Sequence, residues 1–375
     1  MNLKYSVGLD IACKKIDVCI SAIDSHQRVS VVSSKSFLNT ITGFKALEDW
    51  IIKNHKQKDV PLVLCMEATG VYHENCALYF WERNYKTSIV LPNKAKHYFI
   101  SLGLKSKNDS IDAKGLSKMG AEQCLALWEP MGTFFYKLRQ YTRQYQNLQE
   151  QKTVFNNQLH ALEYSMFKSK AMIKQQKDTI KLFNKQLKEL EKLMHDLIDS
   201  DETVKKKVTN ICKIKGIGLL TAATILAETN GFALFSNYKQ LVSYAGFDVV
   251  ERESGTSTGK TKISKKGNGH IRRALFMPAF VAVKYNEKPA VGLYNRTLEK
   301  HGIKMKSYVA VQKKLLVLIY HIWKKNEEYD PGYMQKGNKS QGDISRIVTK
   351  KSSPNQVEAT PDKQFVFENE MPSIV

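Results

Sequence analysis

From residue 133 to residue 215 the chain contains neither glycine nor proline. These are the residues that most readily end a helix, so the stretch is free to stay helical throughout. Apolar residues recur along it at steps of three and four. They run through Leu138, Tyr141, Tyr145, Leu148, Phe155, Leu159, Leu162 and Met166, then Ile173, Ile180, Phe183, Leu187, Leu190, Met194 and Leu197. Sustained spacing of this kind predicts a coiled coil over residues 133–200. Two amphipathic helices packed on a globular core would carry the same pattern. Lys152, Ser169 and Gln176 interrupt it, and the breaks near the middle suit a reversal into an antiparallel pair. Such a spacer in a chain of 375 residues predicts further domains on its flanks, at about 100–200 residues each.

Charge narrows the class of partner. Lys and Arg number 58 against 36 Asp and Glu, a formal charge of +22. Each cation that meets a phosphate backbone releases counterions, so the imbalance favours nucleic acid first and an anionic membrane surface second. Hydrophobic residues at 42% supply a core and exclude wholesale disorder. No stretch approaches the roughly 18 apolar residues of a membrane span, and Met1 to Asp10 is not patterned as a signal peptide. The six cysteines form no CxxC pair, which suits reduced cytosolic thiols better than a zinc site or a disulfide framework.

Residues 1–128 alternate between strand and helix patterns. Tyr5–Asp10, Ile16–Ile23 and Arg28–Phe37 read as three strands joined by short turns. A helix follows through Phe44, Leu47, Trp50 and Ile51, then a buried strand at Pro61–Glu67 and a helix near Tyr72–Arg83. A strand at Thr87–Leu91 and helices around Ala95–Ser101 and Ser110–Ala121 complete the set. This α/β order with a mixed sheet is that of ribonuclease-H-like folds. Residues 203–333 read as a second, mainly helical domain. Residues 334–375 are polar, the composition of a disordered tail.

Four carboxylates fall where such a fold brings distant residues together. Asp10 ends the first strand and Glu67 the fourth, while Asp109 and Asp112 lie three apart at a helix start. Convergent carboxylates repel unless a cation joins them, and Mg²⁺ takes oxygen ligands and bridges phosphate oxygens. Singly, an Asp at a strand end is an ordinary turn former, and Asp109 and Asp112 suit a helix N-terminus.

Two further motifs lie in the back part. Ile214-Lys215-Gly216-Ile217-Gly218 resembles the glycine hairpin of a helix-hairpin-helix: Gly216 and Gly218 allow a tight turn, and the following helix can offer free N–H groups to a phosphate. An ordinary turn between packed helices fits equally well. Glu253-Ser254-Gly255 opens a polar loop that runs into Lys260, Lys265, Lys266, Arg272 and Arg273. Hydroxyls beside dense cations suit phosphate binding, or a serine nucleophile. By composition a basic loop that only touches nucleic acid is favoured, since nothing separates Ser254 from Thr256, Ser257 or Ser264.

Taken together these residues resemble the insertion-sequence transposases of the IS one-ten family, also described as bridge-RNA-guided serine recombinases. The resemblance runs from Tyr5 to about Tyr333. In front it rests on Gly8-Leu9-Asp10, Met66-Glu67-Ala68-Thr69-Gly70 and Asp109-Ser110-Ile111-Asp112-Ala113, which are similar to a RuvC-like DEDD domain. Behind, it rests on the glycine hairpin, Leu241-Val242-Ser243-Tyr244-Ala245-Gly246, Glu253-Ser254-Gly255, Ser264-Lys265-Lys266-Gly267-Asn268 and Ile271-Arg272-Arg273. Two prolines usual in the family are replaced here by Lys215 and Asp248.

The resemblance implies a Mg²⁺-binding tetrad of Asp10, Glu67, Asp109 and Asp112, and a nucleophile at Ser254 that forms a covalent phosphoserine link. It implies double-stranded donor and target DNA, a non-coding bridge RNA and a homo-oligomer, dimer or tetramer, with no membrane partner. The cationic residues Lys260, Lys265, Lys266, Arg272 and Arg273 would neutralise phosphates. Two other readings are a metal-dependent Holliday-junction-type resolvase using the tetrad alone, and a non-catalytic nucleic-acid scaffold.

Overall fold

The computed structural model describes residues 1–330 except 69, 104–107, 252, 256 and 260. The expected tail at 334–375 and Lys260 lie outside the described residues. The chain forms two compact units, Met1–Met131 and Gly132–Val375.

The first unit is a five-stranded sheet with helices on both faces. Its elements are β1 (Asn2–Ile11), β2 (Lys15–Asp24), β3 (Val29–Leu38), α1 (Ile41–Asn54), β4 (Leu62–Glu67), α2 (Glu74–Trp81), β5 (Lys86–Val90), α3 (Pro92–Ser101) and α4 (Asp109–Glu122). The strand order is β3-β2-β1-β4-β5. β1, β2 and β3 form an antiparallel meander, and β4 and β5 join parallel to β1. This is the ribonuclease-H-like order expected from the alternation of elements.

The two faces of the sheet differ in side-chain size, and that difference decides what packs where. With a period of two, Val7, Leu9, Ile16, Val18, Ile20, Leu64 and Met66 share one face and bury against Phe44, Leu47 and Ile51 of α1 and Phe80 of α2. The other face carries small residues. Ser21 Oγ lies 2.8 Å from Ser117 Oγ of α4, and Gly120 meets Ser6 and Cys65. A Cβ on Gly8 would sit 2.1 Å from the Ala113 carbonyl oxygen and 2.2 Å from the Ser117 nitrogen. Only glycine lets the backbone of α4 lie this close to β1.

The second unit is mainly helical. Its two long helices, α5 (Thr133–Tyr164) and α6 (Lys170–Asp199), turn back on each other between Ser165 and Ser169. Their pairing is antiparallel: Tyr145 bonds Glu191, Phe155 packs edge-on against Phe183, and Glu163 pairs with Lys177. The base of this pair is buried through Leu138, Leu148, Leu187, Met194 and Ile198. From Gln149 to Gln186 no side chain of the pair is fully buried.

Around the base pack α7 (Glu202–Cys212), α8 (Leu219–Glu228), α9 (Tyr238–Tyr244), α10 (Gly269–Ala274), α11 (Phe276–Lys284), α12 (Lys288–His301) and α13 (Lys304–Lys325). Their core is formed by Ile225 and Leu226 of α8, Phe232, and Leu315, Ile319 and Trp323 of α13, among others. Between α9 and α10 the chain makes a ribbon of four short strands: β6 (Val249–Val250), β7 (Glu253–Ser254), β8 (Ser257–Thr258) and β9 (Lys262–Ile263).

Candidate active site

In the first unit the same period of two that builds the sheet aims its acids. Ser6 and Gly8 face α4, so Asp10 does too. On β4, Cys65 packs with Leu116 and Met119 of α4, so Glu67 points to that face as well. The parallel register pairs Leu9 with Met66, which places Asp10 and Glu67 side by side at adjoining strand ends. α4 begins over those ends. Asn108 caps it by accepting a hydrogen bond from the Ile111 N–H at 2.9 Å, and Asp109 and Asp112 lie in its first turn.

The electrostatics of Asp10 report the convergence. Burial pushes its carboxyl up to about 6, and the charges of Asp112, Asp109, Glu67 and Asp17 add to the rise. Asp17 is a fifth acid that the sequence reading missed. It stands opposite Asp10 in the β1–β2 ladder, and it accepts a hydrogen bond from Ser36 Oγ. Hairpin register, visible once β1 and β2 are paired, is the signal that would have found it. Lys15 enters the same cluster, its Nζ 2.7 Å from Asp17 Oδ2 and 3.9 Å from Asp109 Oδ2.

Among the described residues, no three such groups stand close enough together to hold a metal ion as they are. The donor chemistry nevertheless fits a hard divalent cation. Every candidate donor is a carboxylate oxygen, and a cation would offset the burial and the repulsion that together raise Asp10.

In the second unit Ser254 lies on the outer rung of the ribbon. Val249 and Val250 pair with Ile263 and Lys262 at its base, and Glu253 and Ser254 pair with Thr258 and Ser257 beyond. Ser254 and Gly255 are exposed, and Gly255 takes φ +57°; among the described residues no heavy atom lies within 4 Å of where a Cβ would stand.

The ribbon is anchored by the segment that follows it. The Ser264 N–H donates to the Asp248 carbonyl at 2.8 Å, and the Asn268 N–H to the Tyr244 carbonyl at 2.7 Å. Lys265 and Lys266 are exposed on this segment. Arg272 and Arg273 are engaged within the unit. Arg272 donates to the Ala245 carbonyl at 2.8 Å, and Arg273 pairs with Glu150. Gly216, at φ +94°, packs against α11, where a Cβ would sit 2.7 Å from the Pro278 carbonyl oxygen. Close packing accounts for that glycine. Gly218 caps α8 with open space around it.

Behind the anchor lies a polar network that the sequence reading also missed. Glu228 is 2% exposed. It accepts hydrogen bonds from Arg143 Nε at 2.7 Å and Nη2 at 2.9 Å, and from Asn268 Nδ2 at 2.7 Å. Burial works to raise its carboxyl, but these hydrogen bonds outweigh it and hold the group below its ordinary value. Asn268 in turn caps α10 by accepting from the His270 and Ile271 N–H groups. A lone acid closing the apolar run of α8 was the available signal.

A ribonuclease-H-like sheet with acids at the ends of β1 and β4 and at the start of the covering helix defines a DEDD-type domain. The comparisons with known proteins agree. Residues 7–167 match a model of DEDD transposases of the IS110 type, and residues 208–294 match one described as transposase, IS116/IS110/IS902 family.

Pilin gene-inverting proteins of Moraxella bovis and Moraxella lacunata are each 30% identical over 329 residues, covering 87% of this chain and 98% of theirs. An insertion element IS110 protein of Streptomyces coelicolor is 32% identical over 84 residues, covering 22% of this chain and 20% of its own. Among solved structures, T. thermophilus RuvC in complex with a Holliday-junction substrate covers 32% of this chain and 93% of its own, at 10% identity and a TM-score of 0.25. The chain belongs to the IS116/IS110/IS902 family of transposases, enzymes of DNA recombination. Among the described residues no helix is long and apolar enough to cross a membrane.

Proposed function

We propose that this transposase cuts and rejoins donor and target DNA through a covalent link at Ser254, assisted by a divalent ion, Mg²⁺, on Asp10, Glu67, Asp109 and Asp112. The observation that carries the reading is the exposure of Ser254 on the outer rung of a projecting ribbon. Exposure leaves the hydroxyl accessible to a phosphate, and its place before Gly255 is the one the family resemblance gives the nucleophile. In the reaction Oγ attacks phosphorus, the deoxyribose oxygen of the cut bond leaves and takes a proton, and the Oγ proton passes to a base. The phosphoserine diester keeps the bond energy. A hydroxyl of the incoming strand then attacks phosphorus and releases Ser254, so no nucleotide cofactor is consumed. A bound divalent ion supplies positive charge at the phosphate oxygens. Lys265 and Lys266 neutralise flanking phosphates, with the turn at Gly216 and Gly218 and the guanidinium groups of Arg272 and Arg273 as further contacts.

The same family resemblance supports guidance by a non-coding bridge RNA, action as a dimer or tetramer joined through a coiled coil of α5 and α6, and a place in the bacterial cytoplasm at the nucleoid. Lys260 belongs to this cationic set by sequence. A second reading, hydrolysis of branched DNA by the acids alone, is favoured by Asp10 and Glu67 standing side by side at adjoining strand ends.

Incubating the protein with donor DNA and Mg²⁺, then denaturing, separates the two. Protein–DNA adducts that vanish in Ser254→Ala support the serine route. Nicked DNA with no adduct supports hydrolysis. Recombination of donor and target plasmids with and without the flanking RNA tests guidance.

A further inference from the structure

The outer face of α6 carries a feature that the recombination chemistry leaves unused. All seven lysines of this helix fall at Lys170, Lys174, Lys177, Lys181, Lys185, Lys188 and Lys192, at steps of four, three, four, four, three and four. Every one is exposed. At 3.6 residues per turn they form one ridge, roughly 115° around the helix from the seam of Ile173, Ile180, Phe183 and Leu187 that meets α5. From Lys170 to Lys192, 22 steps of about 1.5 Å each, the ridge is about 33 Å long.

The acids Asp178 and Glu189 sit beside the ridge and not in it. Lys177 pairs with Glu163, and Lys185 lies 3.8 Å from Glu189. Among the described residues the other five make no ion pair.

Solvation alone does not call for this pattern. α5 is as long and as exposed, yet it meets water with glutamines (Gln140, Gln144, Gln149, Gln151 and Gln158 among them) and carries only Lys137, Arg139, Arg143 and Lys152 as cations. Like charges three and four apart also oppose the helix that bears them. A ridge kept against that cost fits a linear polyanion. The chain acts on DNA, and one turn of duplex is about 34–36 Å, the length of the ridge.

We propose that the lysine ridge of α6 is a second, sequence-independent binding surface for duplex DNA, lying along about one turn of the double helix. It holds DNA by its phosphates and reads no bases. The inference rests on the chain acting on DNA and is independent of which residue cuts it.

The test uses the full chain with Lys174, Lys181, Lys188 and Lys192 all changed to Gln. Binding to a random 40-bp duplex is followed by fluorescence anisotropy over a salt series. The expected result is at least tenfold weaker binding at 0.1 M salt. The slope of log K against log[salt] should become shallower by about 2, since about two of the four then no longer meet phosphate. The same four positions changed to Arg should restore both.

Unchanged affinity and slope in the Gln variant overturn the proposal. So does a loss that Arg fails to restore, and so does weakening toward an RNA hairpin with duplex DNA binding intact. Adduct formation is scored in parallel. Ridge variants that lose duplex affinity in a chain forming no adduct retain the ridge and refute only the serine route.

Discussion

The acid cluster and the serine ribbon are built by opposite means. Asp10 and Glu67 end strands whose neighbours are paired along their length, with α4 laid across them at backbone contact. Ser254 sits on a rung of two-residue strands, exposed, with open space around the next residue. The difference follows from charge. Carboxylates must be forced together against their own repulsion, so they need a scaffold that holds them in the absence of the ion. A hydroxyl carries no charge and resists nothing, so it needs reach and a firm base. That base is the run from Ser264 to Asn268, hydrogen-bonded to the segment from Tyr244 to Asp248 and backed by Glu228.

The largest effects should come from breaking either scaffold. Gly8→Val drives a side chain into the α4 backbone, and on the order of 4 kcal/mol or more should be lost. Limited proteolysis should then degrade the first unit while the second survives; a variant that melts as the wild type does would show that α4 can move away freely. The matching change on the ribbon, Gly255→Ala, meets no neighbour and costs only the left-handed backbone, about 1 kcal/mol.

Glu228→Ala removes the buried acceptor of hydrogen bonds from Arg143, whose own side chain is half exposed, and from Asn268. About 1–3 kcal/mol is expected from urea unfolding, with Glu228→Gln closer to wild type. A cost below about 1 kcal/mol would mean that the ribbon's base does not depend on this network.

The two regions were also unequally legible in the sequence. The strand order, the helix that begins at Asp109 and the shared face of Asp10 and Glu67 followed from periodicity, because alternation fixes which face a residue takes. Asp17 and Lys15 escaped, since their place depends on hairpin register and not on pattern. In the second unit the reversal near Ser169 was readable from polar breaks in a long apolar stripe. The ribbon was not, because rungs of two residues leave no period to detect. Arg272 and Arg273 looked like free cations in a basic loop, yet their hydrogen bonds run to Ala245 and Glu150, partners set by tertiary contact.

A smaller effect should sharpen the electrostatic half of the comparison. Asp10 is harder to ionise in the fold than in the unfolded chain, so the native state holds its proton more tightly. Metal-free stability therefore falls as pH rises from about 4, the free carboxyl's value, to about 6, the folded one. Asp10→Asn abolishes that loss. In EDTA at pH 8 the variant should be more stable by on the order of 1–2 kcal/mol, after discounting for partial exposure, and at pH 4 the two should coincide. A variant less stable at both values would mean that Asp10 is held by favourable contacts and not by force.

The smallest effect is expected at Ser254. If its hydroxyl is placed for reaction and not for folding, Ser254→Ala should leave the urea midpoint unchanged and stability within about 0.5 kcal/mol of wild type. Exposed, with Oγ in no hydrogen bond among the described residues, the side chain has nothing to lose. A drop of 1 kcal/mol or more would make Ser254 part of the ribbon's own construction. The contrast between a site held together by packing and a nucleophile held out by a short ladder would then fail at its exposed end.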